Sequence, residues 1–102
     1  MEPKLYVIVR NDLSRSQKAV QAIHAAADFL IYEREERESQ GWDNGTVICS
    51  RVSDENELIE CEKELKKKWV SFCTFKEPDI GDQKTATAYI STENLFPNLP
   101  LL

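Results

Sequence analysis

Gln17, Gln21, His24 and Asp28 follow one another at helical spacing. On a helix turning about 100° per residue, their side chains fall within an arc of roughly 60°. The row holds the only histidine of the chain, beside two amides and a carboxylate. Arg10, Asp12 and Arg15 stand directly upstream, and Lys18 follows Gln17 but points about 100° away from it on the helix. Such a set can hold an anionic or polar ligand, and its imidazole or a carboxylate can take a proton from water as a general base. Val20, Ile23, Ala27 and Leu30 fall on the adjoining face and read as the helix's core stripe.

Other chemistries have no residues to carry them. No GxGxxG or P-loop separates the first strand from the first helix, so no glycine nest cradles phosphates. No GxSxG elbow occurs. Cys49, Cys61 and Cys73 are odd in number, lack CxxC spacing and sit inside apolar patterns, as reduced core cysteines do. One histidine and no cysteine pair leave no metal set, and no cofactor is expected.

The elements that position these residues alternate along the chain. Residues 5–9, LYVIV, are a continuous apolar run, suited to a strand buried on both faces. Ser14 or Ser16 can cap a first helix reaching residues 33–38, whose charged last turns read as solvated or frayed. Gly41 is a helix terminator, and residues 46–52 form a second strand. Asp54 and Glu57 fit a capping box opening a second helix with Leu58, Cys61 and Leu65 on its apolar side. Residues 70–75 form a third strand, 76–84 a loop and 85–91 a fourth strand. Pro97 and Pro100 keep the tail out of any helix or central strand.

This β-α-β-α-β-β order predicts one α/β domain over residues 1–102. The first three strands are expected to be largely parallel and the fourth antiparallel, because the last loop is too short for a crossover. Ligands of such sheets bind beyond the carboxyl ends of the strands. That rule brings residues 10–13 and the start of the first helix to one cleft with Lys76, Glu77 and Asp79.

The 102 residues carry 41% hydrophobic and 30% charged side chains and a net charge of −5, which excludes a generally basic nucleic-acid binder. An anionic partner must meet a local patch, either Arg10, Arg15 and Lys18 or Lys63, Lys66, Lys67 and Lys68. No apolar leader and no run near the ~20 residues of a membrane span occur, so a cytoplasmic protein without membrane contact is expected.

YVIVRNDL followed by QKAVQAIHAA resembles the opening of type II peptidyl-tRNA hydrolases, which pair a strand ending in Arg-x-Asp-Leu with a helix bearing Gln-x-x-His-Ala. The likeness continues through Trp42, NGTVICSRV, VSDENELIE, FKEPDIGDQKTATAYI and the leucine-rich LPLL, nearly the whole chain in order. It is nearest to a short branch with a Glu-Pro-Asp loop. The resemblance implies a three-layer α/β/α sandwich around a four-stranded mixed sheet, and hydrolysis of the ester joining a peptide to tRNA. The family's helix-start Gly-Lys pair falls on Ser16-Gln17, its glutamine on Gln21 and its histidine on His24. Its acidic residue after the third strand falls on Glu77, and the threonine opening its last strand on Thr85.

On this reading water attacks the ester with His24 or Glu77 as general base, while Gln21 and Lys18 polarise the carbonyl. Arg10 and Arg15 hold the RNA backbone, and Asp12, Gln17, Lys76, Asp79 and Thr85 complete the substrate-binding set. The partner is tRNA, and since family members often pair, a homodimer is a further expectation. Gln17 stands where the family carries lysine, and the chain is acidic. Both favour a second reading, a non-catalytic homologue binding tRNA, nucleotide or protein through the same cleft. A third is a hydrolase of another ester or amide.

Overall fold

In the computed structural model, which describes residues 1–102, the apolar run lies within β1 (Lys4–Arg10), buried from Leu5 onward. Successive side chains of a strand point to opposite faces. Leu5, Val7 and Val9 accordingly join one core cluster, while Tyr6 and Ile8 join another. α1 (Arg15–Tyr32) closes the first cluster with Ala25 and Phe29, and a short α2 (Arg34–Gln40) follows it. α3 (Glu55–Lys67) closes the second with Leu58, Cys61 and Leu65. Helices on both faces of one sheet make the three-layer α/β/α sandwich. No helix is long and apolar enough to cross a membrane.

The sheet runs β2-β1-β4-β3, with β2 (Val47–Val52), β3 (Phe72–Glu77) and β4 (Gln83–Ser91). β2 lies parallel to β1, and β4 lies antiparallel to both β1 and β3. β1, β2 and β3 therefore point the same way, but β4 inserts between β1 and β3, so one pair alone is parallel. The hairpin is tighter than the sequence suggests. Lys76 and Glu77 extend β3 and Gln83 and Lys84 open β4, leaving a single 3₁₀ turn, Pro78–Ile80, capped by Gly81 at φ 70°. So tight a link places β4 beside β3 as its antiparallel neighbour.

Ser14 caps α1 and closes a capping box with Gln17. The helix meets the sheet on a different face from the one expected. Val20 is 47% and Ile23 68% exposed, whereas Gln21, Ala25 and Phe29 are buried, with Ala22, Ala26 and Leu30 partly covered. Alanines let the helix sit close to the strands, and Phe29 fills the space at its far end. The charged end of the expected first helix is neither frayed nor continuous with it. The helix breaks at Glu33 and α2 starts again, ending on Gly41 in the left-handed conformation, φ 77°. At α3, Asp54 accepts from the Glu57 N–H at 2.9 Å, but the Glu57 carboxylate turns to the Ser53 N–H instead of closing the box.

The tail covers the open edge of β2. Leu101 bridges Ser50, the Arg51 N–H donates to the Pro100 carbonyl at 3.0 Å and the Leu102 N–H to the Cys49 carbonyl at 3.1 Å.

Candidate active site

Beyond the carboxyl end of β1, the β1–α1 loop meets the β3–β4 turn. A pocket of about 160 Å³ lies there, lined by Leu13, Ser16, Gln17, Val20, Gln21, Glu77, Asp79, Ile80 and Thr85. Its polar centre depends on an irregularity in the sheet. Phe75 pairs with Ala86 but Lys76 with Lys84, which leaves Thr85 as the extra residue of a β-bulge. Strict alternation from Ala86 would turn Thr85 toward α3. The bulge re-aims it toward α1.

The Thr85 hydroxyl donates to Gln21 Oε1 at 2.7 Å, with the Phe75 carbonyl a longer acceptor at 3.3 Å. Gln21 Nε2 in turn donates to Glu77 Oε1 at 2.9 Å. Both Gln21 and Thr85 are buried. One helix, one edge strand and the bulged central strand thus meet in three side chains, and the amide fixes the Glu77 carboxylate at the pocket. Only Oε1 of that carboxylate bonds to protein, so Oε2 is open to a water or ligand. Replacing Gln21 by Leu strips both partners and is expected to cost about 2 kcal/mol, the penalty of leaving buried polar groups unpaired. Urea unfolding at neutral pH reads this directly, and an unchanged midpoint would show that the network contributes nothing.

The remaining expected site residues divide around this centre. Gln17 lines the pocket while its Oε1 accepts a long, 3.4 Å bond from the Ser14 N–H. Asp79 lines the pocket from the turn. His24, one turn beyond Gln21, is exposed and stacks flat on Phe75, ring centroids 4.3 Å apart and planes 8° from parallel. It does not line the pocket. The Lys18 ammonium donates to Asn11 Oδ1 at 2.9 Å and is not among the lining groups. Arg15 is exposed, and Lys76 is not the cleft residue expected: exposed between Phe75 and Glu77, it is turned by strand alternation to the α3 face, away from the pocket.

Arg10 is not the exposed cation expected at the strand end. It is 7% exposed, and alternation along β1 turns it to the α3 face. Nε and Nη2 donate to the two oxygens of Asp12 at 2.9 and 2.8 Å, and Nη1 donates to Gln83 Oε1 at 2.8 Å and the Lys84 carbonyl at 3.2 Å. Those bonds to Asp12, with Glu55 and Asp54 nearby, hold the guanidinium above its usual range. The hydrogen bonds from Arg10 hold the Asp12 carboxyl below its own. Together the pair ties the β1–α1 loop to the start of β4, on the face of the sheet opposite the pocket.

Leu13, Val20 and Ile80 line the pocket without having been singled out by residue chemistry. For Leu13 and Ile80 the signal is an apolar residue in a polar loop, while Val20 reads as core and instead faces the pocket from α1. The cysteines are remote from this chemistry. Burial, reinforced by neighbouring carboxylates, pushes the Cys61 and Cys73 thiols up to about 11, so neither supplies a thiolate nucleophile at neutral pH. No three His, Cys, Asp or Glu side chains converge as metal ligands would.

Among solved structures, a protein of unknown function from Agrobacterium tumefaciens strain C58 is similar in fold, with a TM-score of 0.75 at 10% identity over 100% of this chain and 98% of that one. A search of curated proteins returns no match. The family described as peptidyl-tRNA hydrolase PTH2 matches residues 3–92, which contain every element of the sheet and the whole pocket. The chain belongs to the PTH2 family of peptidyl-tRNA hydrolases.

Proposed function

We propose that this chain hydrolyses the ester between a peptide and the terminal ribose of tRNA, in the cytoplasm, where translation leaves such esters. One observation carries the reading: in a member of this family, a carboxylate held by a buried amide faces a pocket at the carboxyl end of the sheet. Glu77 Oε2 takes a proton from water as the water oxygen attacks the ester carbonyl. The tetrahedral oxyanion meets the Gln17 amide and the positive end of the α1 dipole, which Ser16 and Gln17 bring to the pocket. Collapse breaks the bond to the ribose oxygen, which takes the proton back from Glu77, leaving free tRNA, a peptide carboxylic acid and the regenerated base.

Gln21 orients the base, and Thr85 orients Gln21. Asp79 lines the pocket beside the substrate's polar end, and Arg15 and Lys18, from the first turns of α1, face the flanking phosphates. Release of free tRNA from an N-blocked peptidyl-tRNA by purified protein tests the reading. Binding of tRNA that weakens with salt, without any release, would overturn it. The second reading, a tRNA binder without turnover, draws on Gln17 standing in the lysine's place and on Lys18 turned to Asn11. No ammonium lines the pocket in this arrangement.

A further inference from the structure

Trp69 is 94% exposed, and its backbone is left-handed, φ 59°. It follows Lys68, the C-cap of α3. Its N–H donates to the Lys66 carbonyl at 3.1 Å, and the Val70 N–H to the Leu65 carbonyl at 3.0 Å. This pair of bonds is the Schellman motif, whose left-handed position belongs to glycine. A tryptophan there strains the backbone and leaves its ring in water. Neither effect helps the fold, and glycine would end the helix better.

The surroundings point to what the ring is for. Lys66, Lys67 and Lys68 directly precede it and are exposed, in a chain of net charge −5. Lys66, Trp69, Val70 and Ser71 line an open hollow of about 380 Å³. Lysines at a helix C-terminus complement its dipole, which accounts for the ammoniums but not for the ring. We infer that this corner is an RNA-docking point, where an unpaired base stacks on Trp69 and the lysines hold the adjacent phosphates. Aromatic stacking beside lysines is the chemistry of single-strand binding. A lipid surface fits less well, since it needs a broad apolar face, and Val70 and Ser71 beside the ring are half-buried. The corner precedes β3 and Glu77 ends it, about 17 Å of strand away. A different part of the RNA from the ester therefore reaches it. The identity of the RNA as tRNA rests on the function proposed above.

Fluorescence tests the inference with the intact chain and deacylated tRNA. Trp42 is 6% exposed, so emission at the red edge belongs to Trp69. Added tRNA is expected to quench that emission. Trp69→Ala and Trp69→Gly are expected to weaken tRNA binding about tenfold and Trp69→Phe much less, because phenylalanine still stacks. Trp69→Gly also relieves the backbone and is expected to raise the thermal midpoint by about 4 °C. A variant that is more stable yet binds worse cannot owe its weak binding to unfolding. Unchanged affinity in Trp69→Ala, or a Trp69 signal that answers phosphatidylserine vesicles and not tRNA, overturns the inference. A peptidyl-adenosine ester cannot span to the corner, so its turnover is expected to be the same in Trp69→Ala and wild type. Absence of turnover by the wild type on that ester and on peptidyl-tRNA removes the hydrolase reading, while quenching by tRNA still stands for this one.

Discussion

Glu77→Gln is expected to lower kcat on peptidyl-tRNA about 10²- to 10⁴-fold, the range over which a positioned general base contributes. The substitution is close to isosteric. Its new amide oxygen can still accept from Gln21 Nε2, so the bond that is 2.9 Å in the wild type and the pocket around it survive. What disappears is the basic oxygen. His24→Phe is the companion variant, because a phenyl ring keeps the flat stack on Phe75 and removes both ring nitrogens. Its expected effect is less than about threefold, small against the general-base range. The reverse result, a disabled His24→Phe beside an active Glu77→Gln, would transfer the base to the imidazole. Thermal midpoints of both variants near wild type would show that chemistry, not folding, was measured.

How much of this was legible follows the range of the interactions. The run LYVIV, the Ser14 and Asp54 caps and the helix-ending Gly41 are local signals, and each appears where expected. The meeting of residues 10–13, the helix start and Glu77 follows from strand direction alone, and the pocket lies there. The buried face of α1 differs from the hydrophobic stripe because hydrophobicity ranks Val20 and Ile23 above Ala22 and Ala26. Close packing on a sheet rewards the smaller residues instead. The bulge at Thr85 has no local signature, since β4 reads as an unbroken alternation. Burial of Gln21 makes sense only once Thr85 and Glu77 are seen to satisfy both ends of its amide. The partners of Arg10 on β4 lie more than 70 residues away in sequence, beyond any pattern of spacing.

Arg10 and Asp12 give the largest expected effect on stability, and the two sides of the pair are unequal. Asp12→Ala leaves a buried guanidinium with only Gln83 Oε1 and the Lys84 carbonyl as partners. Breaking a buried pair in that direction costs about 3 kcal/mol, at the low end of the range because the Asp12 side chain is 40% exposed and partly screened. For a domain of this size the thermal midpoint falls by about 12 °C or more. Arg10→Met removes the buried charge itself, keeps an apolar stem in its place and releases Asp12 to water, so about 1–2 kcal/mol is expected. The double variant is expected to match Arg10→Met, because the two residues act as one unit. The pH dependence follows from the lowered Asp12 carboxyl. A depressed folded-state pKa stabilises above the unfolded value near 3.9 and loses that contribution as pH falls through the folded value. The gap between wild type and Asp12→Ala is therefore full at neutral pH and closes below about pH 4. Phosphate contact predicts something else: Arg10→Met would reduce the salt slope of tRNA binding by about one. An unchanged slope in a less stable protein identifies Arg10 as the residue that holds the β1–α1 loop to β4, and leaves the phosphates to Arg15 and Lys18.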